Sequence, residues 1–235
     1  MRKKIHIIPI IILVILIGAF IYASTYTLKS VEITGCNLSS QEQVKKAVKE
    51  KAWMNNTLLL MARNKIGQLD DIPFVAKLDI DYVDKHSVKV EVYEKSVAGC
   101  IEYMESYIYF DKDGIVLETS KDRFEGVPYI KGLTVTSWTL GKKLPIDNKK
   151  KFEMILSITQ LVKKYELDIQ GIEFKADGEI VLRHNSIEVE VGDGSNLAIQ
   201  LMNLGNILKE VDGKTGVLYM KEYSNDNPTA SFKEK

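Results

Sequence analysis

The chain has 235 residues, with 32 basic and 32 acidic side chains, three histidines and two cysteines. Setting aside Arg2, Lys3 and Lys4 leaves 29 basic against 32 acidic residues, a net of −3, which argues against a nucleic-acid or anionic-lipid surface. The roughly 210 residues after the first apolar run suit one large or two small domains.

Ile5 to Ala23 (IHIIPIIILVILIGAFIYA) holds one weakly polar side chain, His6, and no Asp, Glu, Lys or Arg. At about 1.5 Å per helical residue the run matches a hydrocarbon core of roughly 30 Å. Residues 1–4 are expected as a cytoplasmic stub and 5–23 as a transmembrane helix, because Arg2, Lys3 and Lys4 precede it and the next charge is Lys29. A cleaved signal sequence is the alternative. The run exceeds a signal core of about 7–15 residues, and bulky Ile21 stands three before a cut at Ala23, so a retained anchor is expected.

Leu28–Thr34 alternates as a strand, and Gly35 ends it. Ser39 and Glu42 have capping-box spacing before a helix over Gln41–Lys51, which puts Val44, Ala47 and Val48 on one face. A second helical stretch is expected over Ala62–Leu69, stopped before Pro73. Val75–Tyr82 and Ser87–Glu94 alternate about a short polar turn and read as a hairpin. The order β-α-α-β-β defines a first domain over 26–96.

A second, mostly antiparallel β domain with two or more helices is expected over 97–223, making the fold class α+β. Its strands are Ala98–Tyr103, Ser106–Phe110 and, after the Asp113-Gly114 turn, Ile115–Glu118. A helix over Phe152–Val162 takes Asp147 as its N-cap. Gly171–Lys175, Glu179–Arg183 and Ser186–Val191 form a meander, and Ser195 caps a helix running to Glu210. Gly216–Tyr223 is the last strand, and residues 224–235 are expected as a flexible tail.

No HExxH, paired CxxC, GxSxG, GxxxxGK[ST] or GxGxxG occurs, and His6, His86 and His184 are isolated. The carboxylates stand mostly beside lysines, as on a solvated face. No catalytic, cofactor or metal residues are assigned. Asp113-Gly114 and Asp193-Gly194 read as plain turns rather than calcium loops, Tyr103, Tyr107, Tyr109 and Phe110 as cross-strand packing, and Cys36 and Cys100 as free thiols.

The run Asn56-Thr57-Leu58-Leu59, Ile72-Pro73-Phe74-Val75, Val88–Lys95 (VKVEVYEK) and Ser96-Val97-Ala98 resembles the POTRA domain of the bacterial division family FtsQ/DivIB. Tyr109–Leu117 (YFDKDGIVL) resembles that family's second-domain hairpin, and Val127–Leu133 (VPYIKGL) a following conserved-order segment. The resemblance covers about residues 1–225, in order. Two places depart from it. Asp84-Lys85-His86 stands where a proline is common, and Tyr219–Tyr223 replaces an acidic–apolar–Arg–Tyr pattern.

The resemblance implies a non-enzymatic divisome scaffold at the septum that binds the single-span proteins FtsL and FtsB/DivIC and helps control septal peptidoglycan synthesis. By position, it puts partner binding on the last strand, at Tyr219, Met220, Lys221, Glu222 and Tyr223. Strand addition to an open sheet edge is the physical form this would take; the alternative is an edge merely covered by the polar tail. The other readings are an anchored wall hydrolase, a POTRA-type assembly or transport factor, and an extracytoplasmic sensor.

Overall fold

The computed structural model describes residues 7–52, 55–65, 72–146 and 148–235. It divides into two units, Met1–Lys95 and Ser96–Lys235.

The first unit begins with α1 (Ile7–Ser24), an apolar helix with no preferred face and exposed side chains from Ile8 to Tyr22. Among the described residues no helix is long and apolar enough to cross a membrane. The expected span starts two residues earlier, at Ile5, and residues 1–6 lie outside the described set. β1 (Ser30–Thr34), α2 (Gln41–Lys51), α3 (Thr57–Lys65), β2 (Val75–Asp84) and β3 (Ser87–Glu94) follow in the order β-α-α-β-β. The sheet runs β1-β3-β2, with β1 parallel and β2 antiparallel to β3. Val44 and Val48 of α2 pack with Leu60 of α3 on the sheet's inward residues Leu78, Ile80, Val88, Val90 and Val92. α3 starts at Thr57 rather than at Ala62, because the Asn56 side chain accepts from Leu59 N at 3.2 Å and supplies the cap. Residues 66–69 of that expected helix lie outside the described residues.

The Ser39–Glu42 capping box does not form. The N-cap is Ser40, with no side-chain cap bond. Glu94, at the far end of β3, serves this corner instead. Its Oε1 accepts from the backbone N–H groups of Asn37 (2.9 Å), Leu38 (2.8 Å) and Ser39 (2.7 Å) and from the Ser39 hydroxyl (2.6 Å). Burial is the largest single influence and pushes the carboxyl pKa up; these four donors together outweigh it and hold the group below the usual glutamate value. Glu94→Gln is therefore expected to cost this unit about 2 kcal/mol in a melt at neutral pH. Because the folded pKa is depressed, the wild-type contribution is complete above about pH 4.3 and is lost as pH falls through the folded value. The gap between wild type and variant should close in acid.

The second unit is built on a nine-stranded sheet: β4 (Gly99–Tyr103), β5 (Ser106–Phe110), β6 (Val116–Ser120), β7 (Tyr129–Lys131), β8 (Gly171–Phe174), β9 (Ile180–His184), β10 (Ile187–Gly192), β11 (Gly216–Tyr219) and β12 (Ser231–Glu234). Their order across the sheet is β12-β11-β10-β9-β8-β7-β4-β5-β6. The pairings β10–β11, β4–β7 and β7–β8 are parallel and the rest antiparallel. β7 was not expected as a strand. Its three residues join β4 to β8 and fuse two meanders into one sheet.

α4 (Lys149–Lys164) and α5 (Leu197–Glu210) cover one face through Phe152, Ile155, Leu156, Leu201, Leu204 and Leu208. Asp147 lies outside the described residues; the cap of α4 is Asn148, whose side chain accepts from Lys151 N at 3.0 Å. The opposite face is charged, with Arg183 paired to Glu173 and Glu188 at 2.8 and 2.9 Å. Cys36 and Cys100 are both free; burial pushes the Cys100 thiol up to about 12, with Arg123 pulling weakly the other way.

Candidate partner-binding site

The segment Tyr219–Tyr223 does not continue β11. The strand ends at Tyr219, Met220 N still donates to Glu190 O at 2.9 Å, and the chain then turns, with Tyr223 N donating to Met220 O at 3.0 Å. The turn is pinned from below by Gln200 of α5. Its buried amide nitrogen donates to Val191 O at 3.0 Å and Met220 O at 2.7 Å. Sequence reasoning passed over Gln200. A lone glutamine on the Leu197-Leu201-Leu204-Leu208 face of α5 was the signal, since a buried amide must find partners.

The turn separates the five expected contact residues. Met220 is 1% exposed and Tyr223 8%, so both belong to the core and not to a contact surface. Tyr219, Lys221 and Glu222 keep exposed surface. Lys221 lies between two carboxylates, 2.7 Å from each oxygen of Glu179 and 3.2 Å from Glu190, while Glu190 also meets Lys175 at 2.9 Å. Glu179 first, then Glu190, raises the Lys221 pKa; the bond from Lys175 is the largest effect lowering that of Glu190. This arrangement orders the turn, and the lowered pKa of Glu190 is the opposite of what a general acid needs. Among the described residues no cluster of His, Cys, Asp and Glu could hold a metal ion.

The edge of β11, expected to be open, is taken by the chain's own tail. β12 pairs with it antiparallel, from Gly216↔Glu234 to Tyr219↔Ser231, and Lys235 N donates to Thr215 O at 3.0 Å. The close fit depends on Gly216, where a Cβ would lie 2.3 Å from Lys233 O. Residues 231–234 of the tail are thus a strand, and the sheet's outermost row of backbone groups at this end belongs to β12, which is paired on one side only. Phe232 is half-buried against the core and holds it down.

No family model matches the chain. Cell division protein DivIB of Clostridium acetobutylicum is 22% identical over 215 residues, covering 89% of this chain and 84% of that protein. The chain is thus similar to a DivIB protein over most of its length. A solved structure, the major extracytoplasmic domain of the trans isomer of DivIB from Geobacillus stearothermophilus, matches at a TM-score of 0.33 with 16% identity, covering 51% of this chain and 96% of that one. The family resemblance read from the residue motifs is borne out by the similarity to DivIB along most of the chain. Similarity to a DivIB protein supports a role in cell division.

Proposed function

We propose that the chain is a non-enzymatic division scaffold, anchored by Ile5–Ala23, that binds FtsL and FtsB/DivIC-type single-span proteins outside the membrane. It would concentrate at the septum and help control peptidoglycan synthesis there. The anchor reading is supported by the uncharged apolar run and by the outward-pointing side chains of α1, whose 18 residues rise about 27 Å. One observation carries the binding reading: the large sheet ends in a short strand, β12, paired on one side only and beside the exposed side chain of Tyr219. Unpaired N–H and C=O groups on such an edge accept a partner segment as a further strand. This moves the site of strand addition one strand outward from Gly216–Tyr223, the strand expected to receive it.

The test uses the full-length chain co-expressed with the DivIC-type protein of the same organism. Removing residues 231–235 should cut co-purification at least to about a tenth, equivalent to ~1.4 kcal/mol. Lys221→Glu should weaken it less, since Lys221 turns inward to Glu179 and Glu190, away from the β12 edge. Undiminished capture by the truncated chain would remove β12 from the interface. A fluorescent fusion spread evenly around the envelope of dividing cells, with no midcell band, would remove the division role.

A further inference from the structure

The end of α1 is built into the first unit. The Ala23 carbonyl accepts from the Asn56 side chain at 2.8 Å, and the Tyr26 carbonyl from Thr57 N at 3.0 Å. Leu28 N donates to Asn55 O at 2.7 Å. The tip of the β2–β3 hairpin closes the same seam. His86 Nδ1 donates to Thr27 O at 2.9 Å, Lys29 N and Ser30 N donate to His86 O at 2.8 and 3.0 Å, and the Thr57 hydroxyl donates to Lys85 O at 3.0 Å. The chain leaves the helix without a free linker, so the hairpin tip is held at the level of the helix end.

That level carries a cluster of aromatic and cationic groups. The Tyr22 and Tyr26 rings meet edge to face at 5.6 Å with their hydroxyls 3.3 Å apart. The Lys85 ammonium lies 4.9 Å from the centre of the first ring and 5.3 Å from that of the second. Earlier along β2, Leu78 and Ile80 are buried; at its tip Tyr82 and Val83 are 46% and 57% exposed. Asp81 and Asp84 are the acidic groups at this end, and Asp84 is tied into the turn by His86 N at 2.6 Å.

We infer that the hairpin tip, through Tyr82, Val83 and Lys85, lies in the headgroup region of the same bilayer that α1 enters, so that the first unit rests on the membrane. The inference depends on the anchor reading of α1. Tyrosines sit at the boundary of headgroups and acyl chains, and a lysine there keeps its ammonium in the wet layer while its stem covers apolar surface. The contact is made by apolar and aromatic insertion, not by a basic patch, in keeping with the chain's slightly acidic charge. Neutral lipid therefore suffices.

The full chain, in a Cys36→Ser background, is reconstituted in phosphatidylcholine vesicles; buried Cys100 is left in place. Spin labels are placed at Val83→Cys, at Ile15→Cys within α1 and at Lys46→Cys on the exposed side of α2. Relaxation by oxygen is compared with relaxation by a water-soluble nickel chelate. The expected result is oxygen-dominated relaxation at 15, an oxygen-to-chelate ratio at 83 severalfold above that at 46, and a water-like label at 46. An oxygen-dominated label at 15 with a water-like label at 83 would overturn the docking and leave the anchor standing. Water-like labels at both 15 and 83 would overturn the anchor, and the docking with it.

Discussion

Tyr223→Ala is expected to lower the stability of the second unit by about 3 kcal/mol and its melting temperature by roughly 10 °C. The ring is 8% exposed and packs in the same core as Met220, Leu201 and Leu204. Its removal leaves a cavity under the turn that Gln200 pins. The loss would follow from packing and not from a partner contact. Partner capture by this variant should fall in proportion to the unfolded fraction and recover on cooling. Tyr223→Phe, which keeps the ring volume, should stay within about 1.5 kcal/mol of wild type. Lys221→Glu should cost about 1 kcal/mol, since it sets a third carboxylate beside Glu179 and half-screened Glu190 without leaving a cavity. Thermal melts of the three variants, run beside capture at two temperatures, separate a folding defect from a lost contact.

The burial of Tyr223 also marks where reading the chain by period stops working. Gly216 to Tyr223 alternates well enough to be one strand, yet the run breaks at Met220 because Glu190 and Gln200, distant in sequence, supply the hydrogen bonds that bend it. The long, strongly periodic elements were legible. α2 spans Gln41–Lys51 and β3 spans Ser87–Glu94 as the patterns predicted, and the core faces of α4 and α5 follow the apolar spacing.

Short or polar elements were not legible. β7 is three residues of VPYIKGL, too brief to carry a period, and exists because β4 and β8 both need a neighbour. β12 has a single large apolar residue, Phe232, and reads as tail. The corner before α2 looked like a local capping box, and a carboxylate from the end of β3 won instead because it satisfies three backbone N–H groups at once. For the candidate site the consequence is specific. That Gly216–Tyr219 lies near one end of the larger sheet was legible from position in the chain, but which side chains point outward depended on a turn fixed by tertiary contacts.

Gly216→Val is expected to lift β12 from the sheet while leaving the rest of the second unit folded. A Cβ at this position would meet Lys233 O at 2.3 Å, the Phe232 ring at 2.7 Å and Glu234 Cα at 3.0 Å, all on β12. Backbone atoms cannot rotate away, so one strand must move. β11 is held by its parallel pairing with β10 and by Leu218 in the core. β12 is held by β11, by half-buried Phe232 and by a long, exposed Lys235–Glu188 pair at 3.4 Å. β12 is therefore the strand that yields. Amide hydrogen exchange should show residues 231–234 losing protection while 187–192 keep theirs. The global loss should stay near 1–2 kcal/mol, since little apolar area leaves the core.

The same variant decides what β12 does. If a partner strand adds to β12, capture falls together with the protection of 231–234. If β12 instead occupies the place of a partner strand on β11, releasing it opens that edge and capture rises. The first outcome supports strand addition at the outer edge. The second would make the tail a self-covering strand that a partner has to displace, and would return the contact to Gly216–Tyr219.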